Sequence, residues 1–349
     1  MKKIAVFNHK GGVSKTTTTF HLGWALSNIG KKVILVDADS QCNLTLYALG
    51  FTKYANFYES GNQNNINDAL KPAYKSEPNL IDAVDCLEIR DKLFLLPGHI
   101  DFSENEVQLG VSMQLGGTFG TMRNLPGAFN YLMKIIGAKY NADFILIDMN
   151  PSLSAINQDI LFSSDFFLIP TSPDYFSIMS IKSLAKVLPN WERWAKTARS
   201  FFSDSTYPFE QSQTRFLGYT VNDFNLSTHG AKPSYTFQKI MQQISDEVKN
   251  SLIPALEQND MLLMDEIYKQ AYENMQNVSN KDNIKYFDYY CLAQISNFNK
   301  LIGLSNQKGI PVFELKETEI NFKGQYGTLH WFKFLYNAFA KRILELTGN

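Results

Sequence analysis

The feature that most restricts the fold is the run Lys10 to Thr19, KGGVSKTTTT. It lies between a short apolar run, Ile4 to Phe7, and an amphipathic stretch from Thr16 to about Ile29. An apolar strand, a tight Gly pair and a Lys-Thr pair opening a helix together make a phosphate-binding loop. The reason is electrostatic. Successive backbone N–H groups in such a turn converge on an anion, and the helix start adds the positive end of its macrodipole. Lys15 is expected to meet the β- and γ-phosphates of a nucleotide, and the Thr16 hydroxyl to ligate Mg²⁺.

The flanking chain predicts a doubly wound α/β fold with a mostly parallel sheet. The near-continuous IAVF core of Lys2 to Asn8 reads as a strand buried on both faces. The helix after the loop carries Phe20, Trp24, Leu26 and Ile29 and ends at Gly30. Lys31-Lys32 then leads into VILVD, a second buried strand, which completes a βαβ unit. Asp37 and Asp39 follow at its carboxyl end, where open α/β sheets place their ligands. Two carboxylates there can order the waters of Mg²⁺ and position a nucleophilic water. DFILID, residues 143–148, is a further strand with an acidic tip, and Asp148 is expected to hold a Mg²⁺-bound water.

The loop departs from the strict G-x-x-x-x-G-K-[ST] pattern, because His9 and Ser14 occupy its glycine positions and a second lysine, Lys10, precedes Gly11 and Gly12. In this it resembles the deviant Walker A motif, KGGxxK[ST], of the ParA/MinD group of P-loop ATPases. The resemblance covers roughly residues 1–245 and 300–349. It implies that Gly11, Gly12, Val13, Ser14, Lys15, Thr16 and Thr17 cradle ATP, with Mg²⁺ held by Thr16, Asp39 and Asp148. It implies a homodimer formed on ATP binding, in which Lys10 reaches the partner subunit's phosphates. DADSQ, residues 37–41, resembles the family's switch I segment and ties Asp39 to hydrolysis. MNPSLSAIN, residues 149–157, resembles switch II, and Asn222 matches the residue that recognises adenine. The implied partners are a ParB-like activator and nonspecific DNA.

Composition narrows the alternatives. A formal net charge of -1 leaves DNA binding to a local patch. Such a patch is offered by the helix from about Ser180, with Lys182, Lys186, Arg193, Lys196 and Arg199 around Trp191 and Trp194; its plainer reading is a solvated helix face. Cys42, Cys86 and Cys291 are dispersed without a CxxC pair, and the histidines are scattered, which argues against a disulfide framework or a transition-metal site. The first apolar run reads as a strand rather than a leader, and no run approaches the roughly 20 apolar residues of a membrane span, so a cytoplasmic location is expected.

The remaining chain is read as one ATPase domain over residues 1–349, with a surface excursion at about 50–92 holding a short helix near Ile66 to Leu70. LFLLPG, DFFLIP, FLGYTVNDFN and PVFEL (residues 93–98, 165–170, 216–225 and 311–315) are expected as further strands, PVFEL being the last. The Gly-rich run at 109–127 is expected to be a loop, residues 250–308 a helical insertion suited to a partner, and Leu329 to Leu346 a packed terminal helix rather than a membrane-binding one. Two rival functions share the fold: an ATP-binding subunit of another assembly (plasmid, phage-defence or secretion), and a MinD-like membrane switch.

Overall fold

Among the residues described by the computed structural model (1–115, 120–210, 213–226, 233–279, 288–320 and 326–348), eight strands form one sheet. They are β1 (Lys2–Val6), β2 (Val33–Ala38), β3 (Leu87–Arg90), β4 (Leu93–Leu96), β5 (Phe144–Met149), β6 (Phe166–Thr171), β7 (Arg215–Phe224) and β8 (Cys291–Ser296). The order is β3-β4-β2-β5-β1-β6-β7-β8, parallel throughout except for the antiparallel edge strand β3. β2, β5 and β6 are buried along their whole length, as their unbroken apolar runs require when helices cover both faces.

Helices α1 (Lys15–Asn28) and α2 (Asn43–Glu59) pack on one face. The other face carries α3 (Ile66–Tyr74), α4 (Asn105–Leu115), α5 (Leu125–Tyr140), α6 (Ala155–Phe162), α7 (Tyr175–Phe201) and α8 (Tyr235–Glu247). After α8 come α9 (Ile253–Glu257), which packs on α7, and α10 (Asp265–Ser279). The first layer is completed by α11 (Leu301–Lys308) against α2 and by α12 (Tyr326–Thr347) against α1. β1 and β5 are paired in register so that Val6 lies beside Asp148, while Asp37 on β2 lies beside Asp148 from the other side. The loop leaving β1 therefore starts directly next to the acidic tips of two neighbouring strands.

Several expectations are corrected. PVFEL is not a strand but a 3-10 turn, Val312–Glu314. Pro311 has no N–H for a ladder, and the Val312 N–H is donated to His21 instead, at 3.1 Å. The last strand is β8, inside the range read as a helical insertion, of which residues 280–287 lie outside the described residues. The Gly-rich run is mostly helical: α4 continues to Leu115 and α5 begins at Leu125, with residues 116–119 outside the described set. Within 50–92 the expected short helix is present as α3, which runs on to Tyr74, while α2 continues through a kink at Gly50 and β3 adds an edge strand.

The terminal helix is packed, as expected. Phe332, Leu335, Phe339, Ile343 and Leu346 are each 2% exposed or less. Arg342 is buried as well; its guanidinium donates to the carbonyls of Cys291 and Tyr289 and so fastens α12 to the start of β8.

Candidate nucleotide site

The loop folds as its glycines dictate. Gly12 has φ +71°, and a Cβ built there would meet nothing within 4 Å, so this turn stands open to solvent. Ser14 also takes the left-handed conformation, at φ 64°, a position a glycine would occupy without strain. The Ser172 hydroxyl donates to the Gly12 carbonyl at 3.3 Å, and the Asn222 amide donates to that of Val13 at 3.0 Å. Loop carbonyls are thus held from below. The first α1 bond runs from the Thr18 N–H to the Ser14 carbonyl at 2.9 Å, which leaves the N–H groups of Lys15, Thr16 and Thr17 as first-turn donors.

Charge is concentrated under this turn. Lys15 is buried, its ammonium donating to the Lys10 carbonyl at 3.1 Å. Burial pulls its pKa down, the carboxylates of Asp148 and Asp39 work against that, and Lys10 adds to it. Asp148 is fully buried, and neither of its carboxylate oxygens completes a hydrogen bond among the described residues. Burial pushes its pKa well up, and Asp37 adds to the effect; Thr16 and Lys15 oppose it.

Asp37 differs, since it accepts from the Thr45 N–H at 2.8 Å and the Thr45 hydroxyl at 2.6 Å. Burial nevertheless raises its pKa to about 7. Asp39 is almost buried and accepts from the Gln41 N–H at 3.0 Å. An orphaned buried carboxylate beside a lysine and a threonine suits a hydrated Mg²⁺ bound jointly with phosphates, the usual mode for that ion. The protein side chains do not form a cage for it alone: no cluster of three or more potential ligands occurs among the described residues.

Lys10 is turned toward its own chain. Its ammonium sits 2.8 Å from Asp174, which also caps α7 by accepting from the Ser177 N–H at 2.8 Å. Around this corner Tyr175, Phe176 and Met179 of α7 are exposed, as is Leu153 in the segment after β5. That segment is pinned: Glu106 of α4 accepts from the N–H groups of Ala155 and Ile156 at 2.6 and 3.0 Å, capping α6.

A cleft of about 180 Å³ opens between the loop and β8, lined by Ser14, Thr17, Thr18, Asn222, Phe298 and Tyr336, among others. With its amide nitrogen already donating, Asn222 has a buried acceptor oxygen with no partner among the described residues. Behind the cleft His21 is stacked between Phe298 and Tyr336, at ring distances of 5.0 and 5.1 Å. Because its Nε2 accepts from Val312, its Nδ1–H donates to the Thr17 carbonyl at 2.9 Å. Burial lowers its pKa to about 3, so it stays neutral.

The structure thus brings Lys10, Lys15, Thr16, Asp39 and Asp148 together and sets Asn222 beside them at the base of the loop. His21, Phe298 and Tyr336 were missed, because no spacing connects rings so far apart in sequence. Asp174 was missed as well, since nothing in its sequence surroundings joins it to Lys10, 164 residues away.

Residues 1–198 match the family model described as AAA domain. The chain belongs to that family and is a P-loop ATPase of the ParA/MinD type with a deviant Walker A motif. It is similar to the sporulation initiation inhibitor protein Soj of Bacillus subtilis, 30% identical over 183 residues that make up 52% of this chain and 63% of that relative. The match thus spans less than two thirds of that relative's length. Among solved structures, protein DIP2308 of Corynebacterium diphtheriae superposes with a TM-score of 0.65 at 19% identity, covering 99% of both chains. The structure of pNOB8 ParA bound to nonspecific DNA superposes at 0.55 and 18% identity, covering 100% of this chain and 99% of that one. At such identities these two likenesses establish the fold alone.

Proposed function

We propose that the protein is an ATP-driven switch that closes into a homodimer on ATP and reopens after hydrolysis, acting in DNA partition or in positioning a cargo. The observation that carries this reading is the unsatisfied, buried Asp148 carboxylate beneath an open turn flanked by Lys15, Thr16 and Asp39. The N–H groups of Gly11 to Thr17 hold the phosphates, and Lys15 neutralises charge on the β- and γ-phosphates. Asp39 orients the attacking water. Asn222 offers its acceptor oxygen to the exocyclic amine of adenine. Thr16, Asp39 and Asp148 would hold Mg²⁺, which would supply positive charge against the nucleotide's phosphates.

Lys10 must leave Asp174 to act across a dimer, which makes the 2.8 Å pair a feature of the open state. The exposed Tyr175, Phe176, Met179 and Leu153 form the face a second subunit would cover. Hydrolysis is slow alone and is stimulated by a ParB-like protein. The switch then follows from preference: ATP favours the closed state and ADP does not. The whole chain works as one domain in the cytoplasm.

DNA contact is assigned to the exposed stripe of Lys182, Lys186, Arg193 and Lys196 on α7. Trp191 and Trp194 are not base platforms, since Trp191 packs on Phe7 and Trp194 donates to the Met113 carbonyl at 3.1 Å. The buried apolar side of α12 weighs against the membrane-switch rival.

The test measures oligomeric state and phosphate release for the wild type and for Lys10→Ala, Lys15→Ala and Asp39→Ala with ATP and Mg²⁺. Dimers that persist in Asp39→Ala without turnover and vanish in Lys15→Ala support the switch; a wild type that neither dimerises nor hydrolyses overturns it. Replacing Lys186 and Arg193 by Gln is expected to weaken DNA binding and lower its salt slope by about two. DNA binding unchanged in that variant would move the contact elsewhere.

A further inference from the structure

The chain that follows Asp148 is held by two side chains to which the nucleotide reading gives no part. β5 runs into a turn over Asn150 to Ser152, closed by the Ser152 N–H donating to the Asn150 carbonyl at 3.0 Å. This turn lies against the phosphate loop, since a Cβ built on Gly11 would stand 3.9 Å from the Pro151 Cβ. A shift of the turn therefore reaches the loop on one side and Asp148, two residues upstream, on the other.

Asn157, fully buried in the first turn of α6, folds its amide back over that turn. Its nitrogen donates to the carbonyls of Asn150 and Ser152 at 2.9 and 2.8 Å and lies 3.0 Å from the Asn150 side-chain oxygen. Where Asn157 stands depends on how the start of α6 is set, and that start is fixed from another helix. Ser154 accepts from the Asn157 N–H at 3.2 Å, while the two carboxylate oxygens of Glu106 take one N–H each, from Ala155 and Ile156. The first three N–H groups of α6 are thereby satisfied. A bidentate carboxylate at a helix start fixes direction as well as distance, and the macrodipole favours its charge there.

We infer that Glu106 and Asn157 are positioning residues for ATP hydrolysis: Glu106 sets the start of α6, and Asn157 holds the Asn150–Ser152 turn against the phosphate loop. The inference rests on the ATPase reading given above. Both residues act through the turn, which keeps the spacing between Gly11 and Asp148 constant. Placement of this kind raises rate more than affinity, because a small misplacement of the reacting groups is felt chiefly in the transition state.

The test compares the full-length wild type with Glu106→Gln, Asn157→Ala and a control, Tyr268→Phe. The control removes a buried hydroxyl that donates to the Phe216 carbonyl, near the end of β7 opposite Asn222. In the nucleotide-free protein, amide hydrogen exchange over residues 149–157 should quicken about tenfold in Glu106→Gln and Asn157→Ala and stay at the wild-type rate in the control. With ATP and Mg²⁺, kcat should fall about tenfold in the first two while the ADP dissociation constant stays within about twofold. Tyr268→Phe should lower the denaturant midpoint and keep kcat. Exchange over 149–157 in Glu106→Gln that matches the control overturns the inference, as does an ADP affinity that falls as far as kcat. Wild-type turnover that Glu106→Gln leaves intact overturns it alone, whereas a wild type without turnover overturns the ATPase reading and this inference with it.

Discussion

Strands β1, β2 and β5 and strands β7 and β8 are built from the same kind of apolar run, but they end differently. The first group ends in a lysine-bearing turn and in Asp37, Asp39 and Asp148. The second ends in Asn222 and Ser296, with aromatic rings from α12 and the segment after β8 closing the space. Charge on one side of the loop and neutral amides and rings on the other match the two ends of a nucleotide. In the proposed cycle the charged half governs chemistry and the neutral half governs fit, so damage to each should have a different signature.

The largest effect separates them on stability. Phe332→Ala removes a fully buried ring from α12 and should cost about 3–5 kcal/mol, measured by the denaturant midpoint, with turnover per folded molecule kept. Next, Lys15→Ala should lower phosphate release by about 10²–10³-fold with little change in the midpoint. If the two variants shifted the same observable, the division between halves would fail.

Linkage gives the third contrast, because one titrating group in each half works in the opposite direction. The His21 pKa is about 3 in the fold against an ordinary value of 6.5, so the unfolded chain binds more protons between them. Its stabilisation is present above pH 6.5 and is lost as pH falls toward 3, by up to about 1.4 kcal/mol per pH unit. Asp37, raised from 3.8 to about 7, contributes stability below pH 3.8 that is lost as pH rises through 7. The two windows overlap and oppose each other, so urea unfolding from pH 4 to 7 should show stability falling with rising pH in His21→Leu and climbing with pH in Asp37→Asn, with the wild type between them. The smallest effect is on fit: Asn222→Ala should weaken ATP binding about tenfold, as one buried acceptor is lost, while kcat stays within about twofold.

The same contrast explains what could be read in advance. A lysine-threonine turn after an apolar strand has few physical uses, and an Asp at the tip of a buried strand in the right order has fewer, so Lys15, Asp39 and Asp148 were legible. Strand β8, CLAQIS, was not: it is short, alternates poorly, and lies in a range rich in helical spacing. PVFEL had the apolar content of a strand, and only the His21 contact explains why its N–H groups turn elsewhere. The burial of Arg342 was not legible either, because its acceptors are backbone carbonyls, which no residue type advertises.

The packing of α12 on α1 has a consequence for how the molecule is made. His21, near the start of the chain, is stacked on Tyr336, near its end. At roughly 5–20 residues per second, synthesis leaves α1 uncovered for about 15–60 s after it emerges. During that interval the helix that carries the phosphate loop shows its apolar side to the cell. The loop-bearing helix is therefore covered only once α12 has followed, and a ribosome that stalls before α12 holds a chain with that surface exposed.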